Sequence, residues 1–289
     1  MKLVSKIIHQ LVKQLRAEEL FVQLGKYSPF FTKFLPLPSE FSMQDVRVVK
    51  RDGVIFKLML SDYMQWHLFA DLPDLSWREA VKCLRNDTMV LDIGANCGHF
   101  SIKLAGYMNK AGFKNIKIHA FEPNPEVFNN LVNNLDLNPG IKEIVQCHSF
   151  GLGNKNEIRK LTYTWNNSGA GSVSKKGEEG LEVKIKRLDE VIGEIEPSSV
   201  TFIKLDVEGF EPEVFNGAWI VIEKYKPSIF FEMTPEWYKK NGADPEEIIQ
   251  RLESLGYHLF GEKENRLLPF TWSGFATHHQ YNIFATTHE

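Results

Sequence analysis

Residues 88–101 read TMVLDIGANCGHFS. A short apolar run ends in a glycine loop, and a helical pattern follows from His99 to Met108. The next apolar run, IKIHAF at 116–121, reads as a second strand. Strand, loop, helix and strand in that order predict a parallel βαβ unit. Outward from this unit the pattern repeats: PEVFNNLVNNLDLN as a helix, then IVQCHSF, VTFIKLDV and PSIFFEM as strands. Asp244 and Pro245 suit the N-cap and first turn of a helix over PEEIIQRLESLG, and YHLF and YNIFATT read as closing strands. The expectation is an α/β, Rossmann-like fold: a mostly parallel sheet of about seven strands with helices on both faces. Ligands of such sheets bind outside the carboxyl ends of the strands, at the switch point.

The flanks add an extension and an insertion. Residues 3–24 place Val4, Ile8, Leu11, Val12 and Leu15 at helical spacing, with Lys2, Lys6, Lys13 and Arg16 mostly opposite. This predicts an amphipathic helix that packs on the domain or serves self-association. Membrane-surface contact is disfavoured, because Glu18 and Glu19 dilute its basic character. KYSPFFTKFLPLPSE reads as a connector without regular structure. Val46 to Leu60 read as a hairpin about Asp52-Gly53, and DYMQWHLFADL as a helix. The chain thus divides at residue 60, into an extension with hairpin (1–60) and an α/β domain (61–289). EIRKLTYTW and LEVKIKRL form a β insertion around the flexible, Gly/Ser-rich NNSGAGS, which reads as a plain turn in preference to a substrate-side lid.

Composition narrows the class. With 289 residues, 43% hydrophobic and 25% charged, the chain suits one sizeable globular domain plus an extension. A net charge of -3 disfavours nucleic acid, which calls for clustered Lys and Arg. Cys83, Cys97 and Cys147 show neither a disulfide framework nor zinc spacing, which points to a reducing cytoplasm. No apolar run is long enough for a membrane span, and no export signal is evident at the N-terminus.

The loop chemistry selects a cofactor. Asp92, Gly94, Asn96 and Gly98 alternate directly after a strand, and the two glycines let the backbone approach a ligand closely. A dinucleotide loop needs G-x-G-x-x-G at a helix N-terminus facing a pyrophosphate. Here Gly98 falls at another interval, and Asp92 brings negative charge. A cationic, phosphate-free ligand fits better, and S-adenosylmethionine is one. Glu122 ends the second strand, where a carboxylate accepts hydrogen bonds from both ribose hydroxyls.

DIGANCGHFS, AFEPNPEVFNNLVNNLDLN, LDEVI, FIKLDVEGFEPEVFNGA and IFFEMTP, in this order, resemble the FkbM family of methyltransferases. With the weaker DYMQWHLF match, the resemblance covers roughly Asp62 to Pro235. It implies a class I methyltransferase fold and an O-methyltransferase that uses S-adenosylmethionine, many members acting on hydroxyls of sugars or natural products. Asp92, Gly94, Asn96 and Gly98 would form the cofactor loop and Glu122 the ribose acceptor, with Asn124 and Pro125 in the same motif. His99 stands where such proteins often have an aromatic residue. HSFGLGN lies where this fold contacts adenine, which nominates His148 and Ser149.

The block IKLDVEGFEPEVFNGA ends the strand beside the cofactor strand, facing the transferred methyl in this fold. Strand alternation sends Lys204 and Asp206 to one face, with Glu208 and Gly209 following. Asp206 is the first candidate for catalysis, against a plain role as a helix cap or as the partner of Lys204. Glu232, ending the next strand, should lie close to it. Two such carboxylates share a proton, raising one pKa, or hold a divalent cation, and the sequence leaves both open. His148, His278 and His279 are alternative bases, and Trp165 and Trp237 are candidate platforms for an acceptor. The expected reaction is in-line attack of an acceptor hydroxyl on the sulfonium methyl, helped by positioning and a base. The rivals are a dinucleotide-dependent oxidoreductase, which would bind NADH, and a silent cofactor-binding scaffold, which would transfer nothing.

Overall fold

The computed structural model describes residues 2–164, 167–174, 180–240, 242–272 and 280–288. Helices α1 (Lys2–Gln14) and α2 (Glu18–Tyr27) lead to the hairpin β1 (Val46–Arg51) and β2 (Val54–Met59), then α3 (Tyr63–Phe69) and α4 (Leu75–Cys83). The α/β core starts with β3 (Thr88–Ile93), α5 (His99–Ala111), β4 (Ile116–Phe121), α6 (Pro125–Asp136) and β5 (Val145–His148). An insertion of β6 (Gly151–Gly153), β7 (Glu157–Thr164), β8 (Asn167–Ser174) and β9 (Leu181–Arg187) follows. The core resumes with α7 (Leu188–Ile195), β10 (Val200–Leu205), α8 (Glu211–Asn216), α9 (Trp219–Tyr225), β11 (Ser228–Met233) and α10 (Pro235–Lys240). It closes with α11 (Pro245–Ser254), β12 (His258–Lys263), β13 (Arg266–Pro269) and β14 (Tyr281–Thr286).

The main sheet has the order β13-β12-β14-β11-β10-β3-β4-β5. Its central strands β11, β10, β3, β4 and β5 run parallel, and β14, β12 and β13 add antiparallel pairs at one side. Every residue of β3 is buried, as a parallel strand covered on both faces must be. From β3 the chain proceeds outward through β4 to β5, then crosses back to place β10 on the other side of β3. The strand order therefore reverses between β3 and β10, and their adjacent carboxyl ends form the switch point where this fold class binds ligands.

The expected Rossmann-like sheet is present, with eight strands rather than about seven. The additional strand is β13, a short partner of β12 at the sheet edge. The insertion forms its own sheet, β6-β9-β7-β8. The Gly/Ser-rich link is not a free connection: Asn167–Ser174 pairs antiparallel with β7. The single helix expected over 3–24 is two, since Arg16 takes a left-handed φ of 50° and ends the first. The Pro-containing connector holds two short 3-10 turns, Pro29–Phe34 and Pro38–Glu40, where proline suits the first turn. The hairpin shares the main core: Phe56 and Leu58 are fully buried with Phe100, Ile102 and Leu131. Asn134 and Asn138 of the α6 region accept its Lys57 and Ile55 N–H groups, both at 2.8 Å.

Candidate active site

Gly94 sits where the chain leaves β3 beside the end of β10. Its φ is +83°, and a side-chain carbon there would lie 1.8 Å from the carbonyl oxygen of Asp206. Only glycine allows the two loops this approach. The Gly94 and Ala95 N–H groups bond to the Phe121 carbonyl at 3.1 and 3.0 Å, tying the loop to β4 as well. Asn96 follows at a φ of 49°, a left-handed conformation asparagine tolerates.

Glu122 closes this half of the site. Its carboxylate accepts the Asn96 N–H at 3.0 Å through one oxygen and the Asn124 N–H at 2.9 Å through the other. Asn124 caps α6 by accepting the Glu126 N–H at 3.0 Å, and Pro125 occupies the first turn. Burial pushes the Glu122 carboxyl up to about 7, against the two backbone bonds. A carboxylate has about four acceptor sites and two are used here, so it fits a diol such as a ribose edge.

Lys204 joins the two halves. Its ammonium donates to Asp206 at 3.2 Å and to the Gly94 carbonyl at 3.3 Å, and lies 3.8 Å from Asp92. Burial works against its charge, but Asp206 and Asp92 outweigh it and hold the amine protonated well above the ordinary lysine range. Asp92 is fully buried, accepts the Ser101 hydroxyl at 2.6 Å and does not line the cavity. Burial raises its pKa, with Lys204 opposing. Its place is behind the site, beneath Lys204.

A cavity of about 530 Å³ spans the ends of β3, β4, β10 and β11, a size typical of ligand sites. Its far end is acidic. Asp206, Glu208 and Glu232 line it together, and Lys204 is the only Lys or Arg among the described lining residues. Burial, then repulsion from Asp206, pushes Glu232 up to about 7, against a hydrogen bond from Thr234. Burial, then Asp206 and Glu232, pushes Glu208 up to about 9. Such a set suits a ligand bearing sulfonium and ammonium charges. Among the described residues, no group of three or more His, Cys, Asp or Glu side chains is arranged to hold a metal ion.

Several predicted residues meet in this cavity: Gly94, Asn96, Glu122, Asn124, Lys204, Asp206 and Glu232. Others do not. Gly98 lies behind it, where an added side-chain carbon would fall 2.6 Å from Leu131 of α6. His148 and Ser149 are not among its lining residues. The His148 ring instead stacks on Phe121 at 4.6 Å and bonds to the His119 ring at 2.9 Å, because β5 turns that side chain toward the insertion. Trp237 is half-exposed and packs over Gly209, outside the lining. Trp165, His278 and His279 lie outside the described residues.

The sequence reading missed one wall. Met64, His67 and Asp74 contribute from the α3–α4 region, and Glu262, Asn265 and Asn282 from β12, the turn after it and β14. Asn282 donates to Glu262 at 2.8 Å and lies opposite Glu232 in the strand register. Arg78 of α4 donates to the Asn265 carbonyl at 3.2 Å, closing the wall. His99 lines the cavity 3.8 Å from Asp74, and burial lowers its pKa to about 4 despite that carboxylate, so the ring is neutral at pH 7. A polar residue inside the apolar strand YNIF was the available signal for Asn282, but its partner needed the register.

A Rossmann-like sheet with this glycine loop, a buried glutamate at the end of β4 and an acidic far end fits a class I methyltransferase that uses S-adenosylmethionine. The FkbM methyltransferase domain is matched over residues 92–259, and the chain belongs to that family. It is similar to the methyltransferase sdnD of Sordaria araneosa, at 30% identity over 50% of this chain and 69% of that protein. The AMB antimetabolite synthetase AmbE of Pseudomonas aeruginosa is 26% identical over 54% of this chain and 9% of that protein. A crystal structure of a methyltransferase FkbM from Methylobacillus flagellatus KT aligns with a TM-score of 0.43 at 16% identity, over 96% of this chain and 60% of that chain.

Proposed function

We propose that the protein methylates a hydroxyl group of a sugar, glycan or natural product. The observation that carries this reading is the adjacency of Glu232, raised to about 7, and the lysine-bound Asp206 at one end of a cavity whose other end is Glu122. S-adenosylmethionine, when bound, supplies the electrophilic methyl group. Glu122 accepts the ribose hydroxyls with its unused lone pairs, and Gly94 gives the ligand room at the strand ends. Lys204 stays charged and fixes Asp206 against the loop. Glu232, with a pKa near neutrality, takes the proton of the acceptor hydroxyl, and Asp206 orients that hydroxyl.

The missed wall supports a polyol acceptor. Asn265 and Asn282 offer neutral donors and acceptors, Glu262 accepts, and no unpaired cation among the described lining residues invites a phosphate or carboxylate. Asp74, Glu262, Asn265 and Asn282 all lie outside the matched segment, 92–259, which supports a reading in which the flanks of the domain choose the acceptor. The cysteines are all free, in keeping with the reducing cytoplasm we propose as its compartment.

The test combines calorimetry with transfer. S-adenosylmethionine and S-adenosylhomocysteine should bind the protein and bind Glu122→Ala weakly. Methyl-labelled S-adenosylmethionine should then label neutral sugars and polyols in an acceptor panel. Labelling of amines alone would overturn the O-methyl reading, and binding without transfer to any acceptor would favour a scaffold.

A further inference from the structure

The first 43 residues differ from the rest in charge and in surface. They hold six Lys or Arg against three Asp or Glu, whereas the remaining 246 residues hold 28 against 34. All three acids of the segment are engaged within the protein. Glu18 binds Arg47 at 2.7 Å, Glu19 binds Arg51 at 2.8 Å and Glu40 binds His9 at 2.8 Å. Of the cations, Lys13 and Lys26 pair with Asp45 and Asp71. Lys6, Arg16 and Lys33 are exposed and form no ion pair among the described residues. The acids that dilute the basic character of the sequence are thus neutralised by partners within the protein, and the unpaired charge of the segment is positive.

The apolar side chains follow the same division. α1 docks on the protein through His9 and Val12, which are buried. Ile7 and Leu11, one turn apart, are each 51% exposed, and Leu15 just beyond the helix is 75% exposed. Phe30, 55% exposed, lies in the 3-10 turn that packs on α1, where the Lys33 carbonyl accepts from the His9 ring at 2.9 Å. The Lys33 ammonium sits 3.3 Å above the Phe30 ring. Of the 17 large hydrophobic side chains exposed among the described residues, eight fall in these 43 residues. Apolar side chains flanked by unpaired cations match the interface of an anionic bilayer, where the former enter the headgroup boundary and the latter meet phosphates.

We propose that this segment docks the protein on anionic lipid bilayers, with Ile7, Leu11, Leu15 and Phe30 inserting and Lys6, Arg16 and Lys33 contacting headgroup phosphates. The attachment is peripheral, since no helix among the described residues is long and apolar enough to cross a membrane. A second copy of the chain suits the surface poorly. A two-fold contact brings the same patch together, and Lys6, Arg16 and Lys33 would face their own counterparts.

Vesicle sedimentation with the full-length protein tests this. Vesicles of phosphatidylcholine mixed with phosphatidylglycerol should carry the protein down, and vesicles of phosphatidylcholine alone should not. Each of Lys6→Glu, Arg16→Glu and Lys33→Glu should lower partition at least about fivefold, and Ile7→Asp with Leu11→Asp by more than about tenfold. The variants should bind S-adenosylmethionine like the parent, which confirms that they fold. Equal behaviour with both vesicles, or partition unaffected by these substitutions, would overturn the proposal. So would a dimer in ultracentrifugation that Leu11→Asp dissociates without any vesicle binding by the parent.

Discussion

Glu122, at the end of β4, and Glu232, at the end of β11, both have carboxyls raised to about 7 by burial, but their surroundings are opposite. Both oxygens of Glu122 accept backbone N–H groups, which fix the carboxylate in one place. Glu232 accepts from side chains instead, Thr234 at 3.3 Å and Gln280, and faces the charge of Asp206. The first is anchored by the chain itself and suits binding. The second is held near its titration point by a like charge, and suits proton transfer. One cavity thus separates affinity from chemistry by how each acid is supported.

Glu232→Gln gives the sharpest form of that contrast. It keeps the shape and removes the base, so kcat should fall by about 10²–10⁴-fold while calorimetry finds the affinity for S-adenosylmethionine little changed. A comparable loss of affinity would erase the distinction between the two ends.

Glu122→Ala should do the reverse. It leaves the Asn96 and Asn124 N–H groups without their partner and removes the diol acceptor, and cofactor affinity should fall on the order of 30-fold or more. The parent should also bind S-adenosylmethionine more weakly as pH falls through about 7, because protonated Glu122 accepts fewer hydroxyls. If affinity is flat between pH 6 and pH 8, as roughly bracketed by that pKa, the ribose role is wrong.

Gly94→Ala attacks the contact that brings the two ends together. Its side-chain carbon has no room beside the Asp206 carbonyl, and its φ is unfavourable. A loss of at least about 1–3 kcal/mol is expected in denaturant unfolding, together with loss of cofactor binding.

The smallest effect is on stability at the acidic end. Glu208 holds its proton up to about 9 in the folded protein, whereas an exposed glutamate releases it near its ordinary value of about 4.3. The unfolded chain therefore gains by ionising as pH rises between those values, and the folded state is destabilised progressively. Glu208→Gln removes that cost. Its melting temperature should exceed that of the parent at pH 8, and the difference should close as pH falls to about 4. An equal melting temperature across the range would show that Glu208 ionises freely.

Much of the first half of the site was legible in TMVLDIGANCGHFS and IKIHAFEPN, since a glycine loop and an acid at strand ends are fixed by local spacing. Lys204 and Asp206 were legible for a similar reason, as alternate residues of one strand. His148 misled because strand position alone does not say which side chains reach a cavity, and its ring is drawn to His119 and Phe121. Asp74, Glu262 and Asn282 carried no local sign beyond a helix cap and polar residues in strands. They share a wall with Glu232 only because β14 pairs antiparallel with β11 in one register and α4 packs beside them.

The sequence by itself determined the βαβ order, the glycine loop and the acid at 122, because backbone conformation and strand periodicity act over a few residues. Only the tertiary structure decided which carboxylates repel one another and which face of α1 is left outside. Glu18 and Glu19 read as diluting charge in the chain, and folding turned them onto Arg47 and Arg51. Charges separated by about thirty residues neutralise each other only when packing brings them within a few ångströms, and that distance is not encoded in local pattern.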